Sequence, residues 1–361
     1  MENTLGIYMI CKDEIQSIGN LLDVICPIVD EVVVLDTGST DGTFDVLQEK
    51  TKSYTNMTLS THEWNNDFGE ARNIAMNKLS TDFAMWLDCD DILNEDTVEF
   101  IKNFSKFAEH VPADVYMMKY LLSRDINGNP EVIMGRERIT RMNKGFKWIG
   151  FIHEYLSTDQ EHNCANIPND FYIEHHKVKK YTSRNLDIYE SKIASGVELT
   201  ARDQVYYGNE LYYNGKYTEA IERLNACVQF NVSWYGDLID SCIKLANMHS
   251  TFEDKKYHLM NALKYGPSPR PDILCLIGDL YKDNNDNEQA AAWYEHARLS
   301  KYDKDDRSDI VDQKYLTWYP YLMLSVVYYH IDKDVAKVWH EYGSQYYPDI
   351  IYFKNNDKWF K

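Results

Sequence analysis

Phe83-Ala84-Met85-Trp86-Leu87-Asp88-Cys89-Asp90-Asp91 is the stretch whose reading decides the fold. An unbroken apolar run without helical periodicity predicts a strand buried on both faces, as in a parallel sheet. Open α/β sheets bind ligands outside the carboxyl ends of their strands. Here that end carries Asp88, Asp90 and Asp91, three carboxylates in four positions. Such close like charges are tolerated best around a cation. Hard oxygen ligands at short spacing suit Mg²⁺ or Mn²⁺, ions commonly shared with substrate phosphates. The run therefore marks a candidate site for a metal-bound nucleotide diphosphate. An acidic turn capping the next helix would read the same way, and the motif alone leaves both readings open.

Working outward, strand and helix signals alternate through the first hundred residues. Leu5 to Cys11 reads as an apolar strand and Ile15 to Ile28 as an amphipathic helix. Val32 to Leu35 is a β-branched strand, after which Asp41 offers an N-cap for a helix through Leu47. Met57 to His62 alternates like a half-buried strand, and Asp67 would cap a helix from Gly69 to Leu79. Phe83 to Leu87 is then the fourth strand. This order predicts a mostly parallel sheet with helices on both faces.

The pattern changes from Val115. A strand to Leu122, the turn pair Asn127-Gly128 and a return over Glu131 to Met134 predict a hairpin. Arg136 to Tyr155 mixes basic and aromatic residues and reads as sheet edge and loops around a site. Beyond Arg184 the chain turns helical and repeats. Gly208, Leu211, Gly215, Tyr217, Ala220 and Cys227 stand at offsets 8, 11, 15, 17, 20 and 27. Gly278, Tyr281, Ala290, Tyr294 and Ala297 stand at offsets 8, 11, 20, 24 and 27, 70 residues later. That separation is two periods of about 34 residues with one extra residue each, and it resembles the tetratricopeptide repeat. Small residues at offsets 8 and 20 let paired helices approach closely. A degenerate unit lies around Ala246 to Ala262, and a fourth runs from Tyr319 to Tyr346.

Composition bounds the function. The 361 residues suffice for two or three domains. A net charge of −19 argues against nucleic-acid binding through the overall field. Arg136 to Arg184 nevertheless holds nine Lys or Arg against six Asp or Glu. That excess is either a solvated rim or a contact surface for phosphate or an anionic acceptor. Met1-Glu2-Asn3-Thr4 does not read as a signal peptide, and no apolar run approaches membrane-span length. The seven cysteines form no CxxC pair. A cytoplasmic protein with reduced thiols and no membrane partner is the expectation.

Two further stretches carry chemistry. Asp36-Thr37-Gly38-Ser39-Thr40-Asp41-Gly42-Thr43 reads as a capped strand-to-helix turn, except that Asp36 stands at the strand's carboxyl end. There its carboxylate could accept from a base N–H or a ribose hydroxyl. In Asp67-Phe68-Gly69-Glu70-Ala71-Arg72-Asn73, Asp67 reads as an N-cap. Arg72, on the first turn, presents a planar fork suited to phosphate or base. Taken in register, these stretches and Leu87 to Asp91 resemble family-2 glycosyltransferases of the GT-A fold. Arg138-Ile139-Thr140-Arg141 and then Trp148 through His153-Glu154 are similar to the branch with tetratricopeptide repeats behind the catalytic domain. That branch includes enzymes that glycosylate cysteines of bacteriocin peptides.

The resemblance implies a GT-A catalytic domain over residues 1–184 and an all-α repeat domain over 185–361. It implies that Asp88 and Asp90 form the D-x-D metal signature, with Asp90 the direct ligand. Glu14, Asp36, Asp67, Arg72 and Asp88 fall on nucleotide-binding positions, with Asp13 replacing the usual Asn before Glu14. His153-Glu154 matches a pair near the acceptor. His175 matches a histidine that contacts metal or phosphate, although Lys177 replaces the glycine usual two residues on.

The activity expected is an inverting, metal-dependent transfer from a nucleotide-sugar, UDP-linked by first choice, with Mn²⁺ or Mg²⁺. Glu154 is the first candidate for the base that deprotonates the acceptor, His153 the second and Asp91 the third. Because such repeats usually present a concave face to peptides, a peptide or protein acceptor comes first. Modified bases of phage-type DNA come second. The repeat domain could also support a homodimer. A different class of function is a non-catalytic nucleotide-binding scaffold, against which the intact Asp88, Asp90, Arg72 and Glu154 speak.

Overall fold

The computed structural model describes residues 3–125, 127–176, 182–231, 233–302 and 310–360; Lys177 lies outside them. The described residues fall into two compact units, one within Met1–Ser123 and Met134–Thr182, the other within Arg124–Ile133 and Ser183–Lys361.

The first unit opens with β1 (Leu5–Cys11), α1 (Ile18–Ile25), β2 (Glu31–Asp36), α2 (Thr43–Ser53), β3 (Met57–Thr61), α3 (Phe68–Met76) and β4 (Phe83–Trp86). It continues through β5 (Asp91–Leu93), α4 (Glu95–Lys102), α5 (Phe104–His110), β6 (Val115–Arg124) and β7 (Pro130–Arg141). It closes with β8 (Lys147–Ile149), β9 (Tyr155–Ser157), β10 (Cys164–Asn166) and β11 (Tyr172–His175). The main sheet runs β3-β2-β1-β4-β7-β6-β11-β5. Strands β1 to β4 are parallel, and β7 joins β4 antiparallel. Period-two alternation divides the apolar side chains between two cores. Ile7, Met9, Val32, Val34, Phe83 and Met85 pack with α1, α2, α4 and α5. Tyr8, Val33, Leu35, Ala84 and Trp86 pack with α3 on the other face. Helices thus cover both faces. The strand order reverses beside β1, so a crevice opens at the carboxyl ends of β1 and β4.

Several local expectations are corrected. Gly42, not Asp41, is the N-cap of α2, and the helix runs on to Ser53. Asp41 instead accepts from Thr43 N at 2.9 Å and from Ile15 N at 3.2 Å, tying two loops together. The acidic turn does not cap the next helix: Asp91 begins β5, and Asn94 caps α4 through Thr97 N at 2.8 Å. Residues 136–141 are not sheet edge but the continuation of β7 between β4 and β6. The charges of Arg136 and Arg138 hid the strand, although both guanidinium groups lie over the Trp86 ring.

The second unit contains α6 (Arg184–Ala194), α7 (Ala201–Tyr213), α8 (Tyr217–Phe230), α9 (Tyr235–Met248), α10 (Phe252–Ala262), α11 (Pro271–Asp283) and α12 (Asn287–Leu299). After these come β12 (Val311–Asp312), α13 (Gln313–Leu316), α14 (Tyr319–Tyr328), α15 (Lys333–Tyr346) and α16 (Ile351–Asn356). The pairs α7/α8, α9/α10, α11/α12 and α14/α15 are helix–turn–helix units. A Cβ placed at Gly208 would lie 2.5 Å from Leu224, and one at Gly278 would lie 2.7 Å from Tyr294, so the paired helices need the small residue. Ala220 and Ala290 are fully buried opposite them. The first period is 34 residues, but the second is 36, because a loop with Pro267 and Pro269 precedes α11. The hairpin tip belongs to this unit, where Val132 and Ile133 pair with Asp312 and Val311. Among the described residues no helix is long and apolar enough to cross a membrane, and all seven cysteines are free thiols.

Candidate active site

Five neighbouring strands each send one side chain to the carboxyl edge of the sheet: Trp86 from β4, Arg138 from β7, Tyr120 from β6, His175 from β11 and Asp91 from β5. Over this layer folds the turn Asp88-Cys89-Asp90-Asp91. Its shape is set by Asp88 N, which donates to Asp91 Oδ2 at 3.0 Å, and by Asp91 N, which donates to Asp88 O at 3.1 Å.

Helix α3 brings in Arg72. Asp67 caps that helix by accepting from Glu70 N at 2.8 Å. A Cβ at Gly69 would stand 2.3 Å from Gly150 O, so the helix start can touch the 149–153 loop only with glycine there. Asn73 clamps Trp148, donating to its carbonyl at 2.9 Å and accepting from its N–H at 2.8 Å. Arg72 is thereby held between α3 and the loop that carries His153 and Glu154. Its Nη2 donates to Asp88 Oδ1 and its Nε to Glu154 Oε1, both at 2.7 Å. The guanidinium lies 5.1 Å from the Trp86 ring and 5.0 Å from the Trp148 ring, and its Nη1 is buried without a hydrogen-bond partner. His153 takes a left-handed φ of 50°, a costly conformation that aims the residue after it.

The electrostatics divide the carboxylates. Burial would raise Asp88, but Arg72, with Arg138 behind it, outweighs that and holds its pKa at about 2. Burial pushes Asp90 up to about 6, against the pull of His175 and with Asp88, Asp91 and Glu14 adding to it. His175 is raised, chiefly by Asp91, against its own burial. Its Nδ1 lies 3.6 Å from Asp90 and 3.7 Å from Asp91 and has no hydrogen-bond partner. Ligand atoms of Asp88, Asp91 and His175 all lie within 4.8 Å of one another. A cluster of carboxylates, the half-buried Asp90 among them with its pKa raised, beside an imidazole fits a divalent cation.

The residues singled out in the sequence are only partly brought together. Asp88, Asp90, Asp91, Arg72, Glu154 and His175 converge. Asp36 is 3% exposed, and its oxygens accept from Gly38 N, Ser39 N and Ser39 Oγ, so they serve the turn. Asp67 serves α3. Glu14 closes the β1 loop, with its N–H on Thr43 Oγ1 at 2.8 Å, and its charge reaches Asp90. Asp91 does not sit where a base would: its side chain is fully buried and accepts from Tyr120, Arg138 and Asp88 N. Tyr120, Trp86, Trp148, Arg138 and Asn73 escaped attention as site residues. Of the basic segment, Arg138 is buried, and Arg141 and Lys144 pair with Asp114.

Residues 7–156 match the family model described as Glycosyl transferase family 2. The relatives it resembles include the SPbeta prophage-derived glycosyltransferase SunS of Bacillus subtilis (strain 168). They are 22% identical over 255 residues, which cover 68% of this chain and 58% of SunS. The chain thus spans little more than half the length of that relative. A shorter match is poly(ribitol-phosphate) beta-N-acetylglucosaminyltransferase TarS of Staphylococcus aureus, 32% identical over 99 residues, 27% of this chain and 16% of TarS. Among solved structures, S. aureus TarS 1–349 aligns with a TM-score of 0.36 at 15% identity, covering 82% of this chain and 91% of that one.

Proposed function

We propose that the protein is an inverting glycosyltransferase that moves a sugar from a nucleotide-sugar, UDP-linked by first choice, to a peptide or protein side chain. The observation that carries this reading is the single guanidinium of Arg72, bonded on one side to Asp88 of the D-x-D turn and on the other to Glu154. On this reading one guanidinium would tie the donor side of a displacement to its acceptor side, within the segment that matches the family 2 model.

Asp90, His175 and Asp88 would hold Mn²⁺ or Mg²⁺; imidazole among the ligands favours Mn²⁺. When bound, the ion offsets charge on the leaving diphosphate. Glu154 takes the acceptor's proton, with His153 as the second candidate, and a single displacement inverts the anomeric carbon. The repeat unit supplies the acceptor surface. A DNA acceptor loses support, because the basic residues of β7 and the turn after it are spent on internal partners.

The test is a thermal-shift and hydrolysis screen against UDP-, GDP- and TDP-sugars with Mn²⁺, Mg²⁺ or EDTA. Metal-dependent stabilisation by one nucleotide, with slow release of its diphosphate, supports the reading and names the donor. Peptides, hydroxymethylated DNA and a ribitol-phosphate polymer, the acceptor in the name of TarS, then form the acceptor panel. Tight nucleotide binding without any hydrolysis would turn the reading to a binding scaffold.

A further inference from the structure

Among the described residues Arg138 is the largest fully buried side chain, and its carboxylate partner there, Asp91, is buried with it. Arg138 Nη1 lies 3.3 Å from Asp91 Oδ2 and 3.2 Å from the Trp86 carbonyl. The guanidinium is flanked by the Trp86 ring at 3.5 Å and the Tyr120 ring at 4.1 Å, while Nε and Nη2 have no hydrogen-bond partner. As a stabilising device this is poor, since buried ion pairs can often be replaced by apolar groups without loss. Its position is more telling, directly beneath the D-x-D turn.

Asp91 is gripped from three sides. Tyr120 donates to its Oδ1 at 2.7 Å, Arg138 meets its Oδ2, and Asp88 N donates to Oδ2 as well. The β5–β11 ladder then sets Asp91 directly opposite His175. Tyr120 lies one strand over, its ring centroid 5.6 Å from the His175 ring and its hydroxyl also 3.3 Å from Asp88 Oδ2. The carboxylate that faces His175 is therefore unable to swing toward solvent or toward Asp88.

We propose that Tyr120 and Arg138 are positioning residues: they lock the Asp91 carboxylate against His175, and through it orient the imidazole that binds the cation. This rests on the metal reading given above and deepens it. Asp91 faces Nδ1 at 3.7 Å, so on this account the cation would take Nε2. A carboxylate behind a ligating histidine fixes the ring's tautomer and direction, and its loss typically costs about 10- to 100-fold in metal affinity. Asp91, on this account, neither ligates the ion nor takes the acceptor's proton.

The experiment is titration of the full chain with Mn²⁺ alone, read by the electron paramagnetic resonance signal of free Mn²⁺, on wild type, Tyr120→Phe and Arg138→Lys. Melting temperature and UDP binding in EDTA are measured beside it. Tyr120→Phe removes one hydroxyl and keeps the ring, so it stays falsifiable even where Arg138→Lys fails to fold. The expected result is Mn²⁺ affinity lowered about 10-fold or more, with UDP binding in EDTA unchanged. Unchanged or tighter Mn²⁺ binding by a folded Tyr120→Phe overturns the inference while the metal reading stands. Wild type that binds UDP but no Mn²⁺ overturns the metal reading, and the inference with it.

Discussion

Arg72 Nε lies 2.7 Å from Glu154 Oε1 across a sequence separation of 82 residues, and the same guanidinium reaches Asp88 at 2.7 Å. Removing it leaves two carboxylates without their counter-ion in a largely dry site. Breaking such a pair costs about 3 kcal/mol or more. Arg72→Ala should therefore lower the urea midpoint of unfolding and reduce donor hydrolysis by about 100-fold or more. Arg72→Lys, which keeps a charge but not the fork, should recover stability better than turnover. Full activity in Arg72→Ala would remove the basis of the proposed function.

Glu154→Gln preserves the oxygen that Arg72 Nε contacts but cannot take a proton. Turnover should fall by about 10²- to 10⁴-fold, the usual worth of a general base, while the Kd for the nucleotide-sugar stays within about twofold. The check is single-turnover kinetics beside calorimetric donor binding. A variant that loses donor affinity and keeps its rate would exclude Glu154 as the base and turn attention to His153.

Much of this was legible in the sequence. The alternating apolar runs of β1, β2 and β4 announce strands because buried sheets need both faces covered, and Gly208 and Gly278 announce helix pairs because nothing larger fits. Asp88 and Asp90 stood out by charge and spacing, whereas Glu154 came only with the family resemblance. What stayed hidden is what depends on long-range pairing. Arg136 and Arg138 masked the end of β7, since a strand that sends arginines onto a tryptophan ring looks like a loop. Tyr120 and Asn73 carry no local signal at all; their partners, Asp91 and Trp148, are 29 and 75 residues away. Asp36 shows a further limit of local reading: its oxygens accept from Gly38 and Ser39 of its own turn, a role that strand-end position alone does not announce.

Gly69→Ala tests how the Glu154 loop is held. The added methyl would meet Gly150 O, a backbone atom that cannot turn aside. Overpacking of this kind typically costs about 1–3 kcal/mol, and here the strain would fall on the loop that bears Glu154. Turnover should drop further than the shift in melting temperature explains, with nucleotide binding in EDTA little changed. Wild-type kinetics would mean that the loop accommodates the methyl without moving Glu154.

Asp90 is held up at about 6 by burial, and its neighbours Asp88, Asp91 and Glu14 add to this. A carboxyl raised in the folded state favours folding in its protonated form, and that contribution fades as pH rises from the usual 3.8 through about 6. At pH 7.5 the ionised group is thus a burden in metal-free protein. Asp90→Asn should leave the melting temperature equal or higher there, and abolish any rise on adding Mn²⁺. A large loss of stability in the metal-free variant would contradict this electrostatic picture.

In the repeat unit, His249 and His258 stack with ring centroids 4.9 Å apart, and His258 is buried with Nδ1 unpartnered. Burial, and then the neighbouring His249, push the His258 pKa below its ordinary 6.5. Facing it, Asp254 on the same helix pulls the other way without reversing the shift. With a depressed pKa in the fold, the unfolded chain binds the proton first. The stability contribution of the neutral ring is complete above pH 6.5 and is lost as pH falls through the folded value. Urea unfolding at steps from pH 7.5 to 5 should show the midpoint of the helical unit falling on acidification. His258→Leu, which fills the space and cannot charge, should flatten that part of the profile. A profile unchanged by the substitution would place the acid sensitivity elsewhere.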